Sequence, residues 1–223
     1  TLRPYQRQAI ENARQAIREG ARSVVIVAPT GAGKSVVFGA IAAQHIARGG
    51  RVLVVAHRRE LVKQAAGHLH KHGVICRTIV GGRALGPVDA HATVAAVQSL
   101  TAKAWRDRLP PASLVIWDEC HHVLAPSFLS IQQAYTESHH IGLTATPERA
   151  DRSPLGDVFD RMVVVATVRE LTDGGFLVPC EVWAPPQSKT KLAADAADAY
   201  LEHGDGKRAI IFCANVTHAK EVA

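Results

Sequence analysis

Residues 23–35 read Ser23-Val24-Val25-Ile26-Val27-Ala28-Pro29-Thr30-Gly31-Ala32-Gly33-Lys34-Ser35. The first six form a near-continuous apolar run, the pattern of a strand buried on both faces. A glycine-rich turn follows at once, and Val36 to Arg48 then reads as a helix closed by Gly49-Gly50. Strand, glycine-rich turn and helix in that order are the setting in which backbone N–H groups cradle phosphate. Gly31 and Gly33 let the backbone approach the phosphates, and the helix N-terminus adds partial positive charge. Lys34 would reach the β- and γ-phosphates, and the Ser35 hydroxyl would ligate Mg²⁺. The strict pattern has Gly where this chain has Ala28. A bare glycine-rich turn is the plain alternative, and the Lys34-Ser35 pair speaks against it.

Working outward, the same alternation repeats. Arg3 to Glu19 reads as a helix with Pro4 in its first turn, Gly20 past its end, and Ile10, Ala13 and Ile17 on one face. Arg51 to Ala56 is another buried strand, and Arg58 to Lys71 a third helix with Leu61, Ala65 and Leu69 in line. Ile75 to Val80, Ala92 to Val97, Leu114 to Trp117 and His140 to Leu143 read as further strands. Strands alternating with helices predict an α/β fold, a parallel sheet covered on both faces. In such open sheets ligands bind beyond the carboxyl ends of the strands.

A second stretch carries chemistry. Leu114-Val115-Ile116-Trp117-Asp118-Glu119-Cys120-His121 is a hydrophobic strand running into two carboxylates. A Mg²⁺·nucleotide site needs such a pair. Asp118 would hold the metal, through water, and Glu119 would polarise an attacking water as general base. An acidic pair after a strand is also a common helix cap, and only the phosphate-loop signal upstream weighs against that reading.

Taken together these residues resemble the superfamily 2 helicases and translocases. Asp118-Glu119-Cys120-His121 matches the D-E-x-H box of that family. Leu143-Thr144-Ala145-Thr146-Pro147 resembles its third motif, which couples hydrolysis to nucleic-acid movement. Arg3-Pro4-Tyr5-Gln6 resembles the upstream glutamine motif. There Gln6 would read the adenine edge, and Tyr5 would pack near the base. Ala56-His57-Arg58-Arg59-Glu60-Leu61 resembles the motif that grips the nucleic-acid backbone, and Thr93 to Leu100 the next strand-binding motif, through Gln98 and Ser99.

The resemblance covers about residues 1–180, with five motifs in order, and implies a recombinase-like P-loop ATP-binding lobe. It implies ATP and Mg²⁺ at Tyr5, Gln6, Pro29, Thr30, Gly31, Ala32, Gly33, Lys34 and Ser35, with Lys34, Asp118, Glu119 and His121 as the catalytic set. Ser35 and Asp118 would hold the metal. His57, Arg58, Arg59, Gln98 and Ser99 would touch nucleic acid, DNA in preference to RNA. Thr144 and Thr146 would sense the nucleotide state, and His121 would relay between box and third motif. Arg58 and Arg59 oppose the dipole of the helix they open, which a phosphate nearby would explain. A solvated helix start is the bland reading of the same pair. Two rival functions stand beside the motor: a P-loop ATPase with no nucleic-acid role, and a nucleotide-dependent binding module without turnover.

Composition fits this picture. The 223 residues are 47% hydrophobic and 21% charged, which argues against disorder. The net charge of +6 is uneven. Residues 1–120 carry 17 Lys and Arg against 7 Asp and Glu, and residues 121–223 carry 9 against 13. The basic half therefore holds the phosphate loop and the backbone-gripping motifs, as a polyanion-facing surface should. Aromatic residues make up only 5%, so Trp105 and Trp117 are read as core rather than as a stacking stripe. The twelve histidines follow no metal-ligand spacing. Cys76, Cys120, Cys180 and Cys213 form no C-x-x-C pair and are read as reduced thiols of a monomeric cytoplasmic protein. No apolar run reaches the ~20 residues of a membrane span.

Composition shifts near residue 178. We read 1–178 as the ATP-binding lobe, 179–205 as a linker, and 206–223 as the opening of a second such lobe. Within it Arg208 to Cys213 is expected to be a buried strand. The arginine finger of the family would lie in that second lobe. The 223 residues alone are therefore expected to bind ATP but turn it over poorly.

Overall fold

In the computed structural model, residues 2–122, 126–146, 155–180, 199–202 and 204–222 are described. Eight strands among them form one sheet: β1 (Ser23–Val27), β2 (Val52–Ala56), β3 (Cys76–Val80), β4 (Arg83–Leu85), β5 (Ala92–Ala96), β6 (Leu114–Asp118), β7 (His139–Thr144) and β8 (Arg161–Val164), in the order β4-β3-β5-β2-β6-β7-β1-β8. Every pairing is parallel except β3 with β4, a tight antiparallel return. β1, β2 and β5 are buried along their whole length, which is why, Ser23 and Thr93 apart, they read as runs of Val, Ile, Leu and Ala rather than as alternating patterns.

The two-residue period sorts the strand side chains into two cores. Val24, Ile26, Val54 and Ile116 face α1 (Pro4–Arg18), α2 (Lys34–Ile46) and α3 (Arg59–Lys71), where Ile10, Phe38 and Leu69 meet them. Val25, Leu53, Val55, Val115 and Trp117 face the other way, against Leu100 of α4 (Val97–Thr101) and Phe128 and Ile131 of α5 (Pro126–Ala134). Trp117 is 1% exposed and Trp105 is 8% exposed, so both are core residues, as expected.

Register aligns the ends that matter. Val27 lies opposite Thr144, Ala56 opposite Ala96, and Asp118 opposite Leu143. The segments after β1, β2, β5, β6 and β7 therefore leave the sheet from one edge, and every motif with chemistry sits there.

Several elements differ from the expectation. β6 runs one residue further, so Asp118 ends the strand and Glu119 is the first residue off it. β4, β8, α4, α5 and α6 (Val168–Asp173) were not foreseen, being short or lacking a clean period. Thr1–Val178 packs as one unit and Pro179–Ala223 as another. In the second, Arg208–Cys213 pairs with no strand among the described residues, contrary to the expected buried strand. Ile210 is 85% and Phe212 is 93% exposed. A strand of this type needs ladder partners on both sides, and the described part of this unit contributes none. The expected helix from Val216 is present, as Val216–Val222. Most of the expected linker and Pro147 lie outside the described residues. No helix among the described residues is long and apolar enough to cross a membrane.

Candidate functional site

Between β1 and α2 the loop turns on two left-handed glycines, Gly31 at φ 83° and Gly33 at φ 84°. Gly33 is the N-cap of α2, so the free amide groups of that helix open into the loop. The loop is braced from behind by the start of α1. Pro4 pre-sets the first turn, and Gln6, at the third helical position, reaches back so that its Oε1 accepts from Arg3 N at 2.9 Å. Its Nε2 donates to Ala32 O at 2.9 Å, and the Tyr5 hydroxyl donates to the same carbonyl at 3.1 Å. Gln6 is 3% exposed. Its amide still has one N–H and one lone pair uncommitted by these two bonds. Any Cβ on Gly33 would lie 2.5 Å from Gln6 Nε2, so glycine is needed there for space as well as for φ.

A brace that sequence reasoning missed comes from α6 and the residues after it. Leu177 Cδ2 would lie 2.8 Å from a Cβ on Gly31, and Phe176 meets the Tyr5 ring edge-on at 5.1 Å. Arg3 lies over the Phe176 ring at 5.2 Å. The signal was available. Thr167 and Glu170 form a capping box, Glu170 N donating to Thr167 Oγ1 at 3.1 Å and Thr167 N to Glu170 Oε2 at 2.7 Å.

Across the sheet edge, Glu119 takes φ 52°, a left-handed conformation that costs a non-glycine residue about 1 kcal/mol. That turn sets its carboxylate between two groups. Oε1 lies 3.9 Å from Lys34 Nζ, and Oε2 lies 3.3 Å from His121 Nδ1. Lys34 Nζ also points at Ala28 O, 3.4 Å away.

His121 Nδ1 is 3.1 Å from Thr144 Oγ1. That hydroxyl donates to Thr146 O at 2.9 Å and accepts from Thr146 N at 3.1 Å. Its one proton is thus spent, so His121 Nδ1 carries the hydrogen and shares it with Thr144 and Glu119. An unbroken chain runs Lys34–Glu119–His121–Thr144–Thr146. The backbone closes it, since Ala28 N donates to Thr144 O at 2.9 Å.

Asp118 lies beside this chain. Burial raises its carboxyl above the ordinary aspartate value, the Glu119 charge adds to the rise, and Lys34 opposes it. Ser35 opens the second position of α2. A hydroxyl and a carboxylate are hard oxygen donors, and two crowded carboxylates are stabilised by a cation. The donor set fits Mg²⁺ held mostly by water and phosphate oxygens.

The backbone-gripping candidates form a second group on the same edge. Gln98 Nε2 donates to His57 O at 3.0 Å, and Gly81 N donates to the buried Ser99 Oγ at 2.9 Å. Arg59 Nη2 would lie 2.7 Å from a Cβ on Gly81. Arg58 and Arg59 are exposed, and Arg59, Gln98 and Ser99 line one small hollow. The structure thus brings the residues expected at a nucleotide site together at the ends of β1, β6 and β7. It gathers His57, Arg59, Gln98 and Ser99 at the ends of β2, β3 and β5. His140 is a packing residue. It is buried, accepts from Trp117 Nε1 at 3.1 Å through Nδ1, and its Nε2 donates to Tyr135 O at 3.0 Å.

Known proteins share this framework. Residues 1–149 match a family model described as the type III restriction enzyme, res subunit. The chain is 32% identical over 212 residues to a putative ATP-dependent helicase, IRC3, of Saccharomyces cerevisiae, covering 88% of this chain and 30% of that protein. It superposes on the UvsW helicase of bacteriophage T4 with TM-score 0.57 at 20% identity, covering 73% of this chain and 59% of that one. It superposes on the Type ISP restriction-modification enzyme LlaGI, solved with a DNA substrate mimic, with TM-score 0.61 at 17% identity, covering 93% of this chain and 23% of that one. The chain spans less than half the length of the curated relatives it matches.

Proposed function

Because the chain belongs to the type III restriction enzyme res-subunit family and has the first recombinase-like lobe of a superfamily 2 helicase, we propose that it is the ATP-binding part of a motor that moves on nucleic acid. The observation that carries the proposal is the chain of contacts from Lys34 through Glu119 and His121 to Thr144 and Thr146. It ties the phosphate loop, the acidic box and the third motif into one unit.

In this reading Gly31, Gly33 and the first amides of α2 hold the phosphates, and Lys34 leaves Glu119 to pair with the γ-phosphate. Ser35 and Asp118 would hold Mg²⁺, which when bound would supply positive charge against the phosphate oxygens. Glu119, released from Lys34, orients and deprotonates the attacking water. Its other oxygen stays on His121, so loss of the γ-phosphate re-forms the Lys34 pair and shifts the hydrogen bonds at Thr144. Tyr5 and the remaining N–H and lone pair of Gln6 suit an adenine edge. The strand would lie along Arg58, Arg59 and Gln98, one step along the sheet from the phosphates. DNA is favoured over RNA because the Type ISP relative in fold was solved with a DNA mimic. We propose a monomeric, cytoplasmic protein.

The test is ATP hydrolysis with and without single-stranded DNA, on this chain and on the chain joined to a second lobe. Stimulation by at least tenfold in the joined form, abolished by Lys34→Ala and by Glu119→Gln, is expected. Turnover indifferent to any nucleic acid would favour an ATPase of another kind.

A further inference from the structure

At the opposite, N-terminal edge of the sheet lies an arginine cluster that none of the motifs uses. Arg51 precedes β2, Arg77 sits in β3 opposite Thr93 of β5, and Arg108 follows α4. The three line one cleft of about 330 Å³, with Thr93, Trp105 and Pro110 among its walls. Five-residue strands separate it from the phosphate loop by roughly 15 Å.

Three features set it apart from an ordinary basic surface. First, none of the three guanidinium groups has a carboxylate within ion-pair distance among the described residues. The protein places like charges together and leaves them uncompensated. Second, Arg77 Nε is shut off from solvent with no hydrogen-bond partner. Buried polar groups nearly always have partners, so the lack of an acceptor for Arg77 Nε among the described residues leaves its guanidinium uncompensated beside the cleft that it lines. Third, the cluster is held in shape. The Arg77 and Arg108 guanidiniums lie 5.4 Å and 5.2 Å from the Trp105 ring centroid, and Trp105 Nε1 donates to Gly82 O at 3.1 Å. Arg108 Nε is fixed on Ala104 O at 2.7 Å, and the buried Tyr135 hydroxyl pins Pro110 O at 2.5 Å.

Arginine forks on a rigid aromatic support, with no anion supplied by the protein, fit the planar, multidentate geometry of a phosphate oxyanion. We propose that Arg51, Arg77 and Arg108 around Trp105 form a phosphate-binding site separate from the nucleotide loop, filled by a nucleic-acid backbone or by a free phosphate ester. Neither the catalytic chain of contacts nor the Arg58–Arg59 group takes part in it.

The experiment titrates the 223-residue chain in a Lys34→Ala background, which weakens phosphate binding at the nucleotide loop. The probes are inorganic pyrophosphate, with chloride at matched ionic strength as reference, and a fluorescently labelled 20-nucleotide DNA strand. Arg51→Gln/Arg108→Gln changes two exposed or half-exposed side chains, and Arg77→Lys keeps charge but loses the fork. Pyrophosphate binding weakened at least tenfold in both variants, with unchanged thermal midpoints, is expected. If the salt dependence of DNA binding also falls, by about 1.4 in log–log slope for two lost contacts, the backbone is the source. If the DNA slope is unchanged while pyrophosphate is lost, the site takes a free phosphate ester. Pyrophosphate binding no better than chloride, or equally well in the double variant, overturns the proposal. So does a polyglutamate peptide binding there while pyrophosphate does not, which would make the cluster a dock for an acidic protein segment.

Discussion

Gln6→Met isolates the brace behind the phosphate loop. The substitution keeps the side-chain volume and removes one donor and one acceptor. Two hydrogen bonds disappear, Gln6 Nε2 to Ala32 O and Arg3 N to Gln6 Oε1, each 2.9 Å long. Ala32 O keeps the Tyr5 hydroxyl, so it is not orphaned, and Arg3 N is near enough the surface to find water. The loss is therefore about 1 kcal/mol per bond, ~2 kcal/mol in all. For a folded unit of this size that lowers the thermal midpoint by roughly 4–8 °C. The loop must then be ordered by the nucleotide itself. With about 1 kcal/mol of bracing gone at Ala32, and the adenine-facing N–H and lone pair of Gln6 gone with it, affinity for a fluorescent ATP analogue falls at least about fivefold. Gln6→Glu does worse on both counts, because a carboxylate oxygen then faces the Ala32 carbonyl with no proton between them. Urea unfolding followed by tryptophan emission, with parallel nucleotide titrations, measures both effects. A methionine variant within about 0.5 kcal/mol of the parent and equal to it in nucleotide affinity would refute the brace.

Other expectations follow from the same geometry. Gly33→Ala combines a left-handed φ of 84° with a Cβ 2.5 Å from Gln6 Nε2, and should cost about 2–3 kcal/mol in urea unfolding. Adding Gln6→Ala should recover part of that cost, and strictly additive values would contradict the clash. His121→Ala should leave ATP affinity within about twofold, since Glu119 and Thr144, which it contacts, lie outside the phosphate loop, yet cut nucleic-acid stimulation of turnover about tenfold. Equal stimulation would remove His121 from the coupling route. His140 is held below the ordinary imidazole value of 6.5 chiefly by burial, so the unfolded chain takes up its proton first. Stability should fall as pH drops below about 6.5, by up to ~1.4 kcal/mol per pH unit from this residue. His45 and His68, lowered chiefly by burial as well, steepen the loss. His140→Phe should flatten the slope while costing about 2 kcal/mol at pH 7.5, because Trp117 Nε1 is left without its acceptor. An unchanged slope would mean that His140 does not titrate in the transition.

Much of the candidate site was legible because its residues are close together in the chain. Gly31, Gly33, Lys34 and Ser35 lie within five residues, and the apolar run before them announces the strand that presents them. Asp118 and Glu119 are adjacent, and the strand before them has the same signature. All six strands expected in the first unit lie within one residue of the observed bounds, since strands buried inside a parallel sheet need largely apolar side chains. The short elements were not legible. Arg83–Leu85 and Arg161–Val164 lie at the two edges of the sheet, where one side of the strand has no neighbour and the hydrophobic pattern weakens. The run Arg208–Cys213 shows the reverse error. Its apolar composition announces a strand, but composition does not supply a ladder partner.

By itself the sequence determined the fold class, the phosphate loop, the acidic box and the order of the motifs, because each depends on residues close together in the chain. Tertiary structure alone decided that the two oxygens of Glu119 bridge Lys34 and His121. It alone decided that Gln6 holds Ala32 from 26 residues away, that Leu177 closes on Gly31, and that Arg51, Arg77 and Arg108 share one cleft. The physical reason is common to all of them. Strand register and helix packing bring distant residues to one sheet edge, and side-chain period along the chain carries no record of which distant residues those are.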